Sequence, residues 1–272
     1  MKEKVNVENK RIYILLAIIV GIILAVIISL IYGTTKSASI VSKLEKVMAS
    51  SENKAVYLMR ESCGYCELNK SNMNSVSKEY NFEYYNIDTD NLTKEDYDKV
   101  LSMLNLDKAN FGTPKLVTVK NNEVVSNFSG LRTYPMLVDY LKENQLIKED
   151  SKLYLNYVTL DEYKDLFNSD TPEVVVLATS YCKFCLAEHP VLIDVAQQTG
   201  AKINYIYLDY LFESQEQYDE FLSSLSWFSE NSNFGTPTTL IIKNNEVLDA
   251  LSGYREKQDI IDFYRKNGII EV

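Results

Sequence analysis

Four cysteines carry the chemistry that can be read from this chain, and they form two pairs of one spacing, Cys63-Gly-Tyr-Cys66 and Cys182-Lys-Phe-Cys185. Two intervening residues let both sulfurs meet across a single turn, so each pair can pass between dithiol and disulfide with little backbone movement. Each pair follows an apolar, strand-like run (residues 55–59 and 173–178) and precedes a helical pattern. The first cysteine therefore opens a helix, where unpaired N–H groups and the positive end of the macrodipole favour the thiolate, which is the attacking species. The second, buried one turn later, resolves a mixed disulfide. No cysteine lies outside the two pairs, so no disulfide framework is implied.

Cysteine pairs of this spacing also build zinc sites, and two of them make a four-cysteine centre in some folds. Zinc ribbons space their pairs by tens of residues, whereas each pair here has its own strand, helix and downstream Thr-Pro. The reading is redox, with a static disulfide or a metal site as the bland alternatives. No metal and no cofactor is expected, because the dithiol itself carries the electrons. His189, the sole histidine, stands four residues beyond Cys185 and reads as a helix-surface residue rather than a third ligand; Trp227 reads as packing. Lys183 beside Cys182 favours a thiolate and Glu67 beside Cys66 opposes one, which predicts that the second pair is the more oxidising.

The elements that must position the cysteines recur in one order. An amphipathic helix over 38–50 precedes strand 55–59, the first cysteine pair, a helix to about Tyr80, strand 82–87 and a helix over 93–105. Phe111-Gly-Thr-Pro114 then leads into two short β runs joined by Asn121-Asn122, and helix 134–144 closes the set. Asn tolerates the positive φ that a tight hairpin demands. After a polar break at 148–153, Thr159-Leu-Asp-Glu162 fits a capping box. The order then repeats through strand 173–178, the second pair, a helix to about Thr199, strand 203–209, helix 213–225, Phe234-Gly-Thr-Pro237, a hairpin turning at Asn244-Asn245 and helix 257–267. Phe111–Pro114 and Lys120–Val124 both recur 123 residues on, at Phe234–Pro237 and Lys243–Val247, and Ser129-Gly130, Arg132, Asp139 and Asn144 follow at the same offset. A tandem duplication is the simplest account.

One stretch is unlike the rest. Ile12 to Tyr32 is 21 residues without a charge, about 31 Å as a helix, which matches a bilayer core. Lys2, Lys4, Lys10 and Arg11 precede it, which predicts a cytoplasmic N-terminus (1–11), a transmembrane helix (12–32) and an exported remainder. A cleaved signal peptide is the alternative, with Ser37-Ala38-Ser39 as a weak small-residue site, but the apolar run is longer than a signal core of about 7–15 residues. With 272 residues, 46% of them hydrophobic and 24% charged, the chain has room for about two folded domains. Its net charge of −10 argues against a nucleic-acid partner.

Helix, strand, cysteine pair, helix, strand, helix, Thr-Pro, hairpin, helix resembles the thioredoxin fold, over roughly 38–147 and again over 153–272. The fold class implied is α/β, with two tandem thioredoxin-like folds, each a central mixed sheet flanked by helices, after one transmembrane helix. The resemblance implies cis bonds before Pro114 and Pro237, with Thr113 and Thr236 offering backbone to an extended client. It places Gly130 and Gly253 beside the substrate groove, and Pro190 as the proline that kinks the active-site helix, where the first copy has Ser71. Tyr57 and Val176 stand where thioredoxin itself carries a buried aspartate. The tandem, anchored arrangement most resembles extracytoplasmic thioredoxin-like proteins of Gram-positive bacteria, among them disulfide isomerases and accessory proteins of bacteriocin maturation. That resemblance implies a thiol-disulfide oxidoreductase or isomerase acting on exported thiol- or disulfide-containing proteins or peptides, together with a membrane redox partner. Cys63 and Cys182 would attack; Cys66 and Cys185 would resolve. The alternatives are a chaperone-like client-binding module in which the cysteines matter little, and a disulfide reductase fed by a membrane electron donor.

Overall fold

The first helix, α1 (Lys2–Met48), is 47 residues long and runs without interruption through the apolar stretch. It is long and apolar enough to cross a membrane. The computed structural model describes residues 2–148 and 152–271, with side chains from residue 13 onward. The basic side chains that precede the apolar run, and residues 149–151 of the polar break expected at 148–153, lie outside the described residues. The sequence predicts one helix ending at residue 32 and another beginning at 38; instead a single helix continues through both. Two hydroxyls at this point are satisfied within it, since Thr34 Oγ1 bonds back to the carbonyls of Leu30 and Ile31, and Thr35 Oγ1 to that of Tyr32.

Beyond α1 the chain forms β1 (Lys54–Met59), α2 (Gly64–Tyr80), β2 (Tyr84–Asp88), a 3-10 turn (Thr89–Asn91), α3 (Lys94–Met103), β3 (Lys115–Lys120), β4 (Glu123–Ser129) and α4 (Tyr134–Glu143). Next come β5 (Asn156–Tyr157), α5 (Tyr163–Phe167), β6 (Glu173–Ala178), α6 (Lys183–Thr199), β7 (Ile203–Tyr207) and α7 (Leu208–Leu211). The chain continues with α8 (Gln215–Ser223), α9 (Ser226–Glu230), β8 (Thr238–Lys243), β9 (Glu246–Ser252) and α10 (Lys257–Lys266). The α/β class holds, with two mixed sheets ordered β2-β1-β3-β4 and β5-β7-β6-β8-β9. In each, the strand before a cysteine pair is central and buried, parallel to one neighbour and antiparallel to the other. The helix expected over 213–225 is α8, and a further short helix, α9, follows it. The two-residue β5, which extends the second sheet, left no periodic trace in the sequence.

Two compact units form, and they divide the chain differently from the repeat: Met1–Glu61 with Tyr84–Phe128, and Ser62–Glu83 with Ser129–Val272. In the first, Val41, Leu44 and Met48 of α1 pack into one core with Val56, Leu58, Ile87, Val100, Leu104 and Val117. Ser37, fully buried on the same helix, donates to Asp96 and accepts from the N–H of Thr93. In the second unit, Tyr163, Phe167, Val175, Leu177, Ile206, Phe221 and Leu240 make the core on one face of the sheet. Helices α2 and α4 belong to this unit because α2 packs on α6 and on α4. Both Asn-Asn turns form as expected, with φ of 50° and 66° at Asn121 and Asn122 and of 51° and 60° at Asn244 and Asn245. Each turn then donates to the end of a preceding helix, Asn122 N–H to the Met48 carbonyl and Asn245 N–H to that of Phe167.

Candidate active site

Strand β6 carries the chain up to the second cysteine pair and α6 carries it away, so the pair sits where an extended backbone becomes helical. Cys182 is the N-cap of α6, extended at φ −79° and ψ 114°, and its sulfur accepts the N–H of Cys185 at 3.2 Å. This is the geometry of a Ser or Asp cap with sulfur in the oxygen's place. The thiol of Cys182 in turn donates to the carbonyl oxygen of Thr236, 3.2 Å away. Cys182 is half-buried, whereas Cys185 is closed off at 1% exposure. Burial pushes the Cys185 thiol up, and its hydrogen bond with Cys182 pushes the same way. An outer, approachable sulfur and an inner, protonated one are therefore set one helical turn apart.

The walls of this site are tied by hydrogen bonds from three elements. Ser180, two residues before Cys182, gives its N–H to Asp209 Oδ1 at 2.9 Å and its hydroxyl to Asp209 Oδ2. The Thr236-Pro237 bond is cis, and the Pro237 carbonyl accepts the N–H of Gly253 at 2.8 Å, with Gly253 at φ 77°. Thr238 Oγ1 closes the same turn by donating to the Gly235 carbonyl at 2.7 Å. Tyr181 and Phe184, on either side of Cys182, are 59% and 66% exposed, so an apolar rim surrounds the outer sulfur.

The first pair repeats the local geometry with its two sulfurs bonded. Cys63 caps α2 at φ −93° and ψ 108°, its sulfur accepts the N–H of Cys66 at 3.1 Å, and the two cysteines form a disulfide with Cα atoms 5.2 Å apart. Cys66 is fully buried. Thr113 and Pro114, joined by a cis bond, belong to the other compact unit, where Arg60 Nε donates to Thr113 Oγ1 at 3.2 Å. Of the residues expected to form sites, Cys182, Cys185 and Thr236 are thus brought together with Pro237 in one unit.

His189 corrects the sequence reading. It is not a surface residue but is 1% exposed in a nest of rings from Tyr134, Tyr157 and Tyr205. Its Nε2 shares a hydrogen with the Tyr157 hydroxyl at 2.7 Å, and burial holds its pKa down at about 3. The physical reason is that α6 packs against α2 and α10 and turns His189 towards the rings of β5 and β7, so a position that periodicity assigns to solvent is enclosed. No group of His, Cys, Asp and Glu that could hold a metal is found among the described residues. Sequence reasoning also missed Glu188, which is 2% exposed and whose Oε1 accepts the N–H of Arg255 at 2.9 Å. A signal was present: Asn69 stands at the same distance from Cys66, and its Oδ1 accepts the N–H of Arg132 at 3.2 Å.

No protein-family model matches the chain. Among solved structures it is similar to thioredoxin f2 of Chlamydomonas reinhardtii, at 14% identity over 43% of this chain and 99% of that one, with a TM-score of 0.34. It is also similar to a thioredoxin from Aeropyrum pernix, at 18% identity over 41% of this chain and 85% of that one, with a TM-score of 0.32.

Proposed function

We propose that the chain is a membrane-anchored thiol-disulfide oxidoreductase built from two thioredoxin-like folds, over 38–147 and 153–272. In this reading Cys182 and Cys63 are the attacking sulfurs and Cys185 and Cys66 the resolving ones. One observation carries the proposal: Cys182 caps a helix with a backbone N–H aimed at its sulfur and the Thr236 carbonyl 3.2 Å away, while its partner sulfur is buried beneath. A negative charge developing on Cys182 Sγ already has a donor in place, and an incoming disulfide meets this sulfur first.

Cys182 gives up its proton, and the thiolate attacks one sulfur of a client disulfide, forming a Cys182–client disulfide and releasing the other client sulfur as a thiolate, which takes up a proton. Cys185 loses its proton and attacks Cys182 Sγ. That step forms the Cys182–Cys185 disulfide and releases the second client sulfur, which is protonated in turn. The client gains two electrons and two protons, and the chain loses the same. Run backwards, the sequence oxidises a client dithiol. Direction is set by the redox partner, and in an exported, oxidising compartment the expected outcome is disulfide formation and shuffling. Clients are exported proteins or peptides bearing thiols or disulfides, for which Tyr181 and Phe184 offer apolar contact, and Thr113, Pro114, Thr236 and Pro237 would line the client's path. The basic residues before the apolar helix support a cytoplasmic N-terminus and an extracytoplasmic remainder, the arrangement of the Gram-positive isomerase-like and bacteriocin-accessory proteins.

The test is exchange with glutathione. The full chain in detergent is equilibrated across glutathione redox buffers, and turnover of a small disulfide-bonded peptide is followed. Catalysis is expected to fall to the uncatalysed rate when Cys63→Ser and Cys182→Ser are combined. Turnover that survives the double substitution removes the oxidoreductase reading and leaves client binding in its place.

A further inference from the structure

A closed circuit of hydrogen bonds leads from the second cysteine pair back to itself. Cys182 Sγ meets the Thr236 carbonyl; Pro237, the next residue, accepts the N–H of Gly253; and two residues on, Arg255 gives its N–H to Glu188, which lies on α6 below the cysteines. The loop 253–255 is thus the link between the cis-proline segment and the helix that carries both sulfurs. The equivalent loop after β4 is held differently. Arg132 is tied by Asn69 through its N–H and by Asn72, whose Nδ2 donates to the Arg132 carbonyl at 2.9 Å. In the second copy Val191 stands at the place of Asn72 and offers no donor. One titratable side chain there takes the role that two amides share in the first copy.

We propose that Glu188 is the positioning residue of the second dithiol, holding the Thr236 carbonyl against Cys182 through loop 253–255, and that its protonation state sets how fast that thiol reacts. The inference rests on the redox reading of Cys182 and Cys185. Glu188 Oε2 is buried with no hydrogen-bond partner, as is the hydroxyl of Tyr264. The titratable and charged groups that act on Glu188 or feel it are Arg255 and Tyr254 on the loop, Tyr264 on α10 and Tyr205 on β7. Among these only Arg255 favours the carboxylate, and burial outweighs it, so Glu188 titrates at about 7. Near neutral pH the tie to Arg255 changes from an acid's acceptor oxygen to a carboxylate's, which tightens the loop. Asn69, which cannot ionise, leaves the first pair without such a control.

The experiment follows alkylation of Cys182 by iodoacetamide in the reduced full chain, peptide by peptide, from pH 5.5 to 8.5. The wild type is expected to show an inflection near 7 in addition to that of the thiol itself. Glu188→Gln, which keeps an acceptor but cannot titrate, should give a one-proton curve and a rate at pH 8 that differs at least threefold. Superimposable profiles overturn the inference. If the variant does not fold, the wild-type profile decides, and a single one-proton curve overturns it. Failure of Cys182 to exchange with oxidised glutathione at any pH overturns both this inference and the redox reading beneath it, whereas superimposable profiles with normal exchange overturn this inference alone.

Discussion

Ser71 Oγ on α2 lies 3.4 Å from the carbonyl oxygen of Leu186 on α6, the carbonyl that Pro190 leaves without its helical N–H donor. Ser71 and Pro190 each stand five residues beyond the second cysteine of their own pair. The departure of the first copy from the expected proline thus supplies a donor for the gap that the proline makes in the second. Ser71→Ala should remove that donor and cost about 1 kcal/mol, the lower end of the range for stranding a buried acceptor. Chemical denaturation of the full chain in detergent checks this, and an unchanged midpoint would show the bond to be incidental.

His189 and Glu188 are neighbours with opposite pH signatures. In the unfolded chain His189 titrates at its usual 6.5 and in the folded one at about 3. The unfolded state binds more protons between these values. Stability is therefore complete above pH 6.5 and is lost as pH falls towards 3, at about 1.4 kcal/mol per pH unit. His189→Phe keeps a ring in the nest and removes the titration. Its melting temperature should fall less steeply than that of the wild type between pH 6.5 and 5, and parallel curves would contradict a buried neutral imidazole.

For Glu188 the sign reverses. Its folded value of about 7 lies above the usual 4.5, so the folded state holds the extra proton. Stability is fully present below pH 4.5 and is lost as pH rises through 7, by at most about 3 kcal/mol. Glu188→Gln should therefore melt higher than the wild type at pH 8 and close to it at pH 4.5. A variant that is equally destabilised at both values would mean that the carboxyl is held ionised throughout.

Because α1 is continuous, its outer half and its inner half have different fates on truncation. A chain that begins at Thr35 keeps Ser37, Val41, Leu44 and Met48 and should retain the first sheet. A chain that begins at Ser50 loses them, uncovering Val56, Leu58 and Val117, and truncating a single buried Leu such as Leu44 to Ala already costs about 2–5 kcal/mol. Amide hydrogen exchange of β1 to β3 in the two chains separates these outcomes. Equal protection would place Val41, Leu44 and Met48 outside the core.

The features legible in the sequence are those where local chemistry leaves little choice. Asn-Asn between two β runs demands positive φ, and a cysteine pair after an apolar strand demands a helix start; both are where they were expected. The uninterrupted α1 was hidden because Gly33-Thr34-Thr35 has the composition of a break, while the hydroxyls that repair it act only once the helix exists. His189 and Glu188 were misread or missed for one shared reason. A polar residue on a helix is normally solvated, and only the packing of α6 against other elements encloses these two. The division into compact units depends on α2 packing with α6 and α4, a long-range choice that a duplicated local pattern does not encode.

The attacking role of Cys182 is tested most directly by trapping. Cys66→Ser combined with Cys185→Ser leaves each outer sulfur without its resolving partner, so clients should accumulate as mixed disulfides that reductant releases and that map by mass spectrometry to Cys182 and Cys63. Adding Cys182→Ser should abolish the adducts of the second site. Adducts that map to Cys63 alone while Cys182 is present, or none at all in the trapping variant while clients turn over normally in the wild type, would contradict the account.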